Sequence, residues 1–136
     1  KYDKCIELWD DIFSKQESVL PKKKESGNVE FDKGLAWLTD NLYPDDAISV
    51  LEEIKRILKK NGKLLVKLNP FISDEQIEEY GIKKISGNLL DDGMILWNNT
   101  NEEWEDILGA RYSISDYVEI YYEEYEQINR MYLLTK

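Results

Sequence analysis

The side chains available for acid–base chemistry in this chain are limited by its composition. No histidine occurs among the 136 residues, and Cys5 is the single cysteine. Ser-His-Asp and Cys-His catalysis are therefore excluded, as are the usual zinc sites. Asp, Glu, Lys, Tyr and Cys5 are left for proton transfer. A single cysteine also excludes an internal disulfide, and with no secretory leader visible it fits a reducing, cytoplasmic setting.

Two pairs of adjacent carboxylates raise the question of a metal site. Asp45-Asp46 precedes an apolar helical stretch, and Asp91-Asp92 precedes Gly93. Neither pair has the spacing of a calcium-binding loop. Helix capping explains the first pair and turn formation explains the second, so we expect no metal.

Polar residues at the end of an apolar strand form the second candidate site. Lys63–Leu68 is almost continuously apolar, which is typical of a strand buried on both faces of a parallel sheet. Open α/β sheets bind ligands beyond the carboxyl ends of their strands. Asn69 and Pro70 are therefore candidate substrate-binding residues, and Lys67 could orient an acid. The alternative is that Asn-Pro only ends the strand and that Lys67 is solvated.

Hydrophobic periodicity predicts the elements that would position these residues. Pro44 opens the central helix, with Asp45 or Asp46 as its cap, and Gly62 is placed as its left-handed stop. Ser73 caps a short helix that ends at Gly81, and Thr100 with Glu103 forms a capping box. The predicted helices cover residues 2–15, 30–39, 44–60, 73–80 and 100–108, and the predicted strands cover residues 63–68, 82–85, 94–97, 117–122 and 128–135. Residues 82–97 are predicted as a hairpin, with its turn at residues 88–93.

Charge and hydropathy exclude two classes of partner. The formal net charge is −10, with 28 acidic and 18 basic residues, which disfavours binding to a nucleic-acid backbone. The basic run Lys22–Lys24 is interpreted as a solvated linker. No apolar run approaches the roughly 20 residues of a membrane span, so we expect no membrane association.

The stretch from Leu42 to Leu68 resembles the second half of a class I S-adenosylmethionine-dependent methyltransferase. It is an amphipathic helix ending in Lys-Lys-Asn-Gly-Lys, followed by Leu-Leu-Val. The resemblance implies that Lys63–Leu68 is the fifth strand, residues 117–122 the sixth, and residues 128–135 the seventh, inserted antiparallel between the other two. The implied fold is α/β: a truncated Rossmann-like methyltransferase sheet of these strands plus an inserted hairpin, with helices packed on it.

The resemblance also implies a cofactor and its contacts. S-adenosylmethionine would be the methyl donor. Residues 1–41 resemble the cap helices of such enzymes, in which Tyr2, Trp9 and Phe31 would close over the donor; the alternative is simple helix packing. Asn69 and Pro70 would border the methyl acceptor.

The donor-binding part of that family is missing from the sequence. An apolar strand and a Gly-x-Gly loop should follow Leu38, but Thr39-Asp40-Asn41 runs directly into Leu42. An engineered deletion, a natural loss and the omission of a middle stretch would each explain this. We therefore expect one domain over residues 1–136, derived from a methyltransferase but unable to bind the donor normally. The alternative is a non-catalytic fragment that acts as a folding or dimerisation module.

A truncated sheet has a consequence for assembly. Without the first four strands, Lys63–Leu68 would lose its neighbour on one side. An unpaired apolar strand edge favours pairing with a second chain. The sequence thus predicts a homodimer or a swapped assembly through this edge.

Overall fold

The computed structural model describes residues 31–36 and 39–136, with the backbone alone described for Phe31, Asp32 and Tyr125. In this part of the chain, strands and helices alternate along the sequence. The strands are β1 (Phe31–Ala36), β2 (Leu58–Leu68), β3 (Lys83–Ser86), β4 (Leu89–Asp91), β5 (Ile95–Trp97), β6 (Ser113–Tyr122) and β7 (Gln127–Thr135). The helices are α1 (Pro44–Ile57), α2 (Asp74–Glu79) and α3 (Asn101–Gly109), with 3-10 turns at Thr39–Asn41 and Glu123–Tyr125.

The main sheet has the strand order β1-β2-β7-β6. β1 is parallel to β2, whereas β7 is antiparallel to both β2 and β6. The last strand is therefore inserted antiparallel between the two that precede it, as predicted. The architecture is a mixed α/β fold, which confirms the predicted class.

The predicted helix over residues 30–39 is wrong, because Phe31–Ala36 forms strand β1. Gly34 weakens a helix at this position. Gly34 and Ala36 are both buried, and a Cβ on Gly34 would lie in ordinary contact with Leu64 of β2, at 3.6 Å, and with Ile54 of α1, at 3.9 Å. Pairing with β2 beneath α1 therefore overrides the weak helical pattern.

The predicted free edge of Lys63–Leu68 is also wrong. On one side β2 pairs with β1, from Lys33 opposite Lys63 to Ala36 opposite Val66. On the other side it pairs with β7 over the whole of Lys63–Leu68. The backbone of residues 63–66 is thus paired on both sides within the chain. The homodimer or swapped assembly stays a prediction, but an unpaired edge at these residues no longer supports it.

The boundaries of α1 differ from those predicted. Pro44 is in the first turn as expected, but the N-cap is Tyr43, whose side chain makes no capping bond, and Asp45 and Asp46 lie inside the first turn. The helix ends at Ile57, and the left-handed residue is Asn61, with φ of 63°, rather than Gly62. The strand ladder explains the change, because β2 already meets β1 at Leu58.

Residues 73–97 form a small unit beside the main sheet. Ser73 caps α2 with a complete capping box, and Gly81 follows it with a φ of 62°, as predicted. The predicted hairpin is wrong in its turn, because Leu89–Asp91 forms a third, central strand. The sheet order is β3-β4-β5, and turns at Gly87 and Gly93 have positive φ.

The main hydrophobic core lies between the sheet and the helices α1 and α3. Trp104 is completely buried there, and Trp97 packs edge-on against it with ring centroids 5.2 Å apart. The buried residues of this core are Ala36, Leu51, Leu58, Leu64, Val66, Leu68, Trp104, Leu108, Tyr112, Tyr132 and Leu134. A second cluster on the opposite face consists of Leu65, Val118, Met131 and Leu133. The central strands β2 and β7 are therefore buried on both faces, as their sequences indicate.

We predict that Leu64→Ala lowers the free energy of unfolding by about 2–5 kcal/mol. Leu64 has no exposed surface and packs between β1 and α1, so its truncation leaves a cavity. Equilibrium urea denaturation measures the loss. Val50→Ala on α1 is the control, because Val50 is 38% exposed and should change stability by no more than about 0.5 kcal/mol. Equal effects at the two positions would contradict this core.

Candidate functional site

The carboxyl ends of β1 and β2 bring polar residues together at one edge of the main sheet. Asp40 and Asn41 follow β1, and Asn69 follows β2. β7 runs the other way, so its first residues reach the same edge, and Arg130 lies opposite Leu68. This is the edge at which open α/β sheets bind ligands.

Asp40 is a buried carboxylate that holds the loop after β2. Its side chain is fully buried. It accepts a hydrogen bond from the Asn69 backbone N–H at 2.7 Å and another from Asn69 Nδ2 at 3.0 Å. Burial raises the pKa of Asp40, and the bonds from Asn69 and the charge of Arg130 oppose that shift. Asn69 Nδ2 also donates to Asn41 Oδ1 at 3.0 Å, so the two strand ends are joined by side chains.

Arg130 is the buried cation of this edge and is only 4% exposed. Its Nε donates to the Asn69 carbonyl at 2.9 Å. Its Nη1 donates to the Asn99 carbonyl and to Asn101 Oδ1, both at 3.0 Å. Burial lowers the pKa of Arg130, and Asp40 is the largest opposing influence. The guanidinium thus ties the loop after β2 to the start of α3.

A chain of hydrogen bonds leads from Arg130 to a carboxylate on β6. Asn101 Nδ2 donates to the Tyr117 hydroxyl at 3.1 Å, and that hydroxyl donates to Glu119 Oε2 at 2.9 Å. Burial, helped by the bond to Glu119, raises the pKa of Tyr117 to about 12. Tyr117 is therefore a neutral hydroxyl at physiological pH and links Asn101 to Glu119.

Two cavities open on this edge, and Pro70, Phe71 and Ile128 line both of them. The first, of 510 Å³, lies against Arg130. Its lining is Pro70, Phe71, Thr100, Asn101, Glu102, Glu119, Ile128 and Arg130. The second, of 610 Å³, lies between the edge and the small sheet, and among its lining residues are Asn41, Asn69, Tyr80, Met94 and Gln127. Each is large enough for a small organic molecule.

The predicted site residues are distributed unevenly around these cavities. Pro70 lines both cavities and Asn69 lines the second, so these two lie at the binding edge. Lys67 lines neither; its ammonium lies 4.6 Å from the centroid of the Tyr122 ring. Tyr2 and Trp9 lie outside the described residues. Phe31 begins β1, at the opposite end of the parallel strands from Asn69, and its role over a donor stays a prediction.

Sequence reasoning missed Asp40, Arg130, Asn101, Tyr117 and Glu119. One signal was present: Arg130 directly precedes the apolar run of residues 131–134 in the same strand, and a charge at a buried strand position needs partners. Asp40 carried no comparable signal, because residues 30–39 were predicted as a helix and the end of β1 was not recognised. Within residues 31–36 and 39–136, no group of Cys, Asp and Glu is arranged to hold a metal ion. No helix in the described part of the chain is long and apolar enough to cross a membrane.

Solved methyltransferase structures share this fold. The 1,6-didemethyltoxoflavin-N1-methyltransferase of Burkholderia thailandensis, solved with S-adenosylhomocysteine, matches 86% of this chain with a TM-score of 0.60 and 14% identity. An S-adenosylmethionine-dependent methyltransferase of Clostridium acetobutylicum matches 99% of it with a TM-score of 0.58 and 15% identity. The N-methyltransferase NodS of Bradyrhizobium japonicum, bound to S-adenosylhomocysteine, matches 83% with a TM-score of 0.53 and 11% identity. The chain covers 48%, 72% and 50% of these proteins, respectively.

Sequence comparison adds one curated protein. The DNA damage checkpoint protein LCD1 of Candida glabrata is 37% identical over 76 residues, which is 52% of this chain. The chain spans about a tenth of that protein, with 11% covered. No protein-family profile matches the chain. The comparisons thus show the methyltransferase fold of the chain.

We predict that the stability of the wild type relative to Asp40→Asn falls as pH rises above the ordinary Asp pKa of 3.8. The folded-state pKa of Asp40 is raised above its ordinary value of 3.8. Its stabilising contribution is then complete below that value and is lost as pH rises through the folded pKa. Urea denaturation of both proteins across this range measures the difference. If the relative stability instead rises with pH, the charge of Arg130 and the other opposing contacts lower the pKa of Asp40 by more than burial raises it.

Proposed function

We propose that this chain forms the acceptor-facing half of a class I methyltransferase-type domain and does not bind S-adenosylmethionine on its own. The observation that carries the proposal is the preformed edge beyond β1 and β2. Buried Asp40 and Arg130 fix its loops there, and two cavities open beside them. In open α/β sheets such an edge is the ligand-binding edge, and by family resemblance it would face the methyl acceptor.

The glycines of the chain support the negative part of the proposal. The seven glycines are at positions 27, 34, 62, 81, 87, 93 and 109, so no two of them are spaced as Gly-x-Gly. The family holds its donor with a glycine-rich loop after a strand, because a side chain there would block the approach of the backbone. Nothing in this sequence supplies that loop, so methyl transfer would need a donor site from elsewhere.

A second candidate is a non-catalytic fragment that serves as a folding or dimerisation module. The lack of the glycine-rich loop favours it. It differs from the first proposal in requiring no ligand at the sheet edge and, if it dimerises, a surface other than Lys63–Leu68.

We predict no binding of S-adenosylmethionine or S-adenosylhomocysteine to this chain in isothermal titration calorimetry at about 1 mM ligand. The physical reason is the missing backbone cradle for the methionine moiety. The Burkholderia thailandensis methyltransferase, solved with S-adenosylhomocysteine, is the positive control.

Micromolar binding of either ligand would overturn the negative part of the proposal and identify the chain as a donor-binding methyltransferase. Light scattering of the same samples tests the dimer. A monomeric mass at high concentration would rule out the hypothesis that the chain is a dimerisation module.

A further inference from the structure

The cavity beside Arg130, here called the Arg130 pocket, has one apolar wall and one polar wall. Pro70, Phe71 and Ile128 form the apolar wall. Phe71 and Ile128 are 43% and 47% exposed, so both present apolar surface to an incoming molecule. An exposed aromatic face beside polar groups suits a flat ligand, which can stack on it while its edge forms hydrogen bonds.

Arg130 lines this pocket, and it does not use all of its donors on the described part of the chain. A guanidinium has five N–H groups in a fixed plane. The hydrogen bonds that Arg130 makes to described residues use Nε and Nη1, and none of them uses Nη2. Because those bonds hold the side chain rigid, Nη2 is a preorganised donor for an acceptor atom of a ligand.

Glu119 supplies an acceptor next to that donor. It lies directly opposite Arg130 in the β6–β7 ladder. Directly opposed side chains in an antiparallel pair lie on the same face of the sheet. Glu119 Oε2 accepts from Tyr117, which leaves Oε1 for a ligand. The polar wall thus offers a donor and an acceptor side by side.

We propose that the Arg130 pocket binds a planar, uncharged ring that carries a lactam group, with its carbonyl on Arg130 Nη2 and its N–H on Glu119. This assignment rests on the proposed function, since it names the chemical class of the molecule at the acceptor edge. The ring would stack against Phe71.

The charges of the pocket argue against fully charged ligands. A carboxylate would meet Glu102 and Glu119 as well as Arg130. An ammonium group would meet the buried charge of Arg130. A neutral molecule with both a donor and an acceptor can pair with Arg130 and Glu119 without leaving a charge of its own unpaired.

The test uses 2-pyridone, a simple planar aromatic lactam, titrated into the full chain and followed by ¹H–¹⁵N NMR. We expect shifts at Phe71, Asn101, Glu119 and Arg130 and a Kd on the order of 1 mM. Two matched probes are 1-methyl-2-pyridone, which lacks the N–H, and benzoate, which offers a carboxylate instead. Both should bind at least about tenfold more weakly.

Two variants locate the contacts. Glu119→Gln keeps an acceptor for Tyr117 but replaces the charged acceptor, so the affinity for 2-pyridone should fall about tenfold. Glu123→Gln, an exposed carboxylate outside the pocket lining, is the control and should leave the affinity unchanged. Arg130→Lys should abolish binding of 2-pyridone if the variant folds. If it does not fold, the affinity of Glu119→Gln decides the test, because Glu119 is exposed and its substitution leaves Arg130 in place.

Three results would overturn the proposal. They are no shift at about 10 mM 2-pyridone, equal binding of 1-methyl-2-pyridone, and tighter binding of benzoate. These outcomes are independent of the donor titration. If the chain binds neither S-adenosylmethionine nor 2-pyridone, the proposal that it lacks a donor site stands and the lactam proposal fails.

Discussion

The burial of one guanidinium is the constraint on which the organisation of the polar edge beyond β1 and β2 depends. A charged group taken out of water needs hydrogen-bond partners, and Arg130, which is only 4% exposed, donates three hydrogen bonds to described residues. Its acceptors come from the loop after β2 and from the residues that start α3. Two segments far apart in the sequence must therefore take fixed positions around one side chain, and the shapes of both cavities follow from them.

The strand order explains why Arg130 can play this part. β7 is inserted between β2 and β6, and it runs against both. The N-terminal residues of β7 therefore lie at the carboxyl ends of β1 and β2. If β7 were parallel to them, its C-terminal residues would lie there instead. The antiparallel insertion thus places Arg130 between Leu68 and Glu119, and Asp40 reaches the same edge from the end of β1.

Much of the fold could be predicted because local and tertiary preferences agree. The two capping boxes at Ser73 and Thr100 formed as their sequences indicate. Residues 64–66 of β2 and 131–134 of β7 are continuously apolar, and both runs are buried. The resemblance of residues 42–68 to a methyltransferase also gave the correct order of the last three strands. The predictions failed where partners far along the chain decide the outcome. Phe31–Ala36 is a strand because it pairs with β2 beneath α1, and its own sequence does not indicate that partner.

The site was harder to predict than the fold for the same reason. The position of Asn69 and Pro70 at a strand end could be predicted because that end is visible in the sequence, and their role in binding a substrate stays a prediction. Asp40, Asn101 and Glu119 become functional candidates only through their positions around Arg130, which are 90, 29 and 11 residues away along the chain. No local pattern carries those distances.

The most direct test of the central claim is the stability of Arg130→Met in equilibrium urea denaturation. If the buried guanidinium organises the edge, its removal leaves Asp40 buried without its cation and the carbonyls of Asn69 and Asn99 without their donor. The account predicts a loss of about 3–5 kcal/mol. Arg56→Met, on the exposed face of α1 and paired with Glu53, is the matched control and should cost no more than about 1 kcal/mol. A loss at Arg130 as small as that at Arg56 would contradict the account.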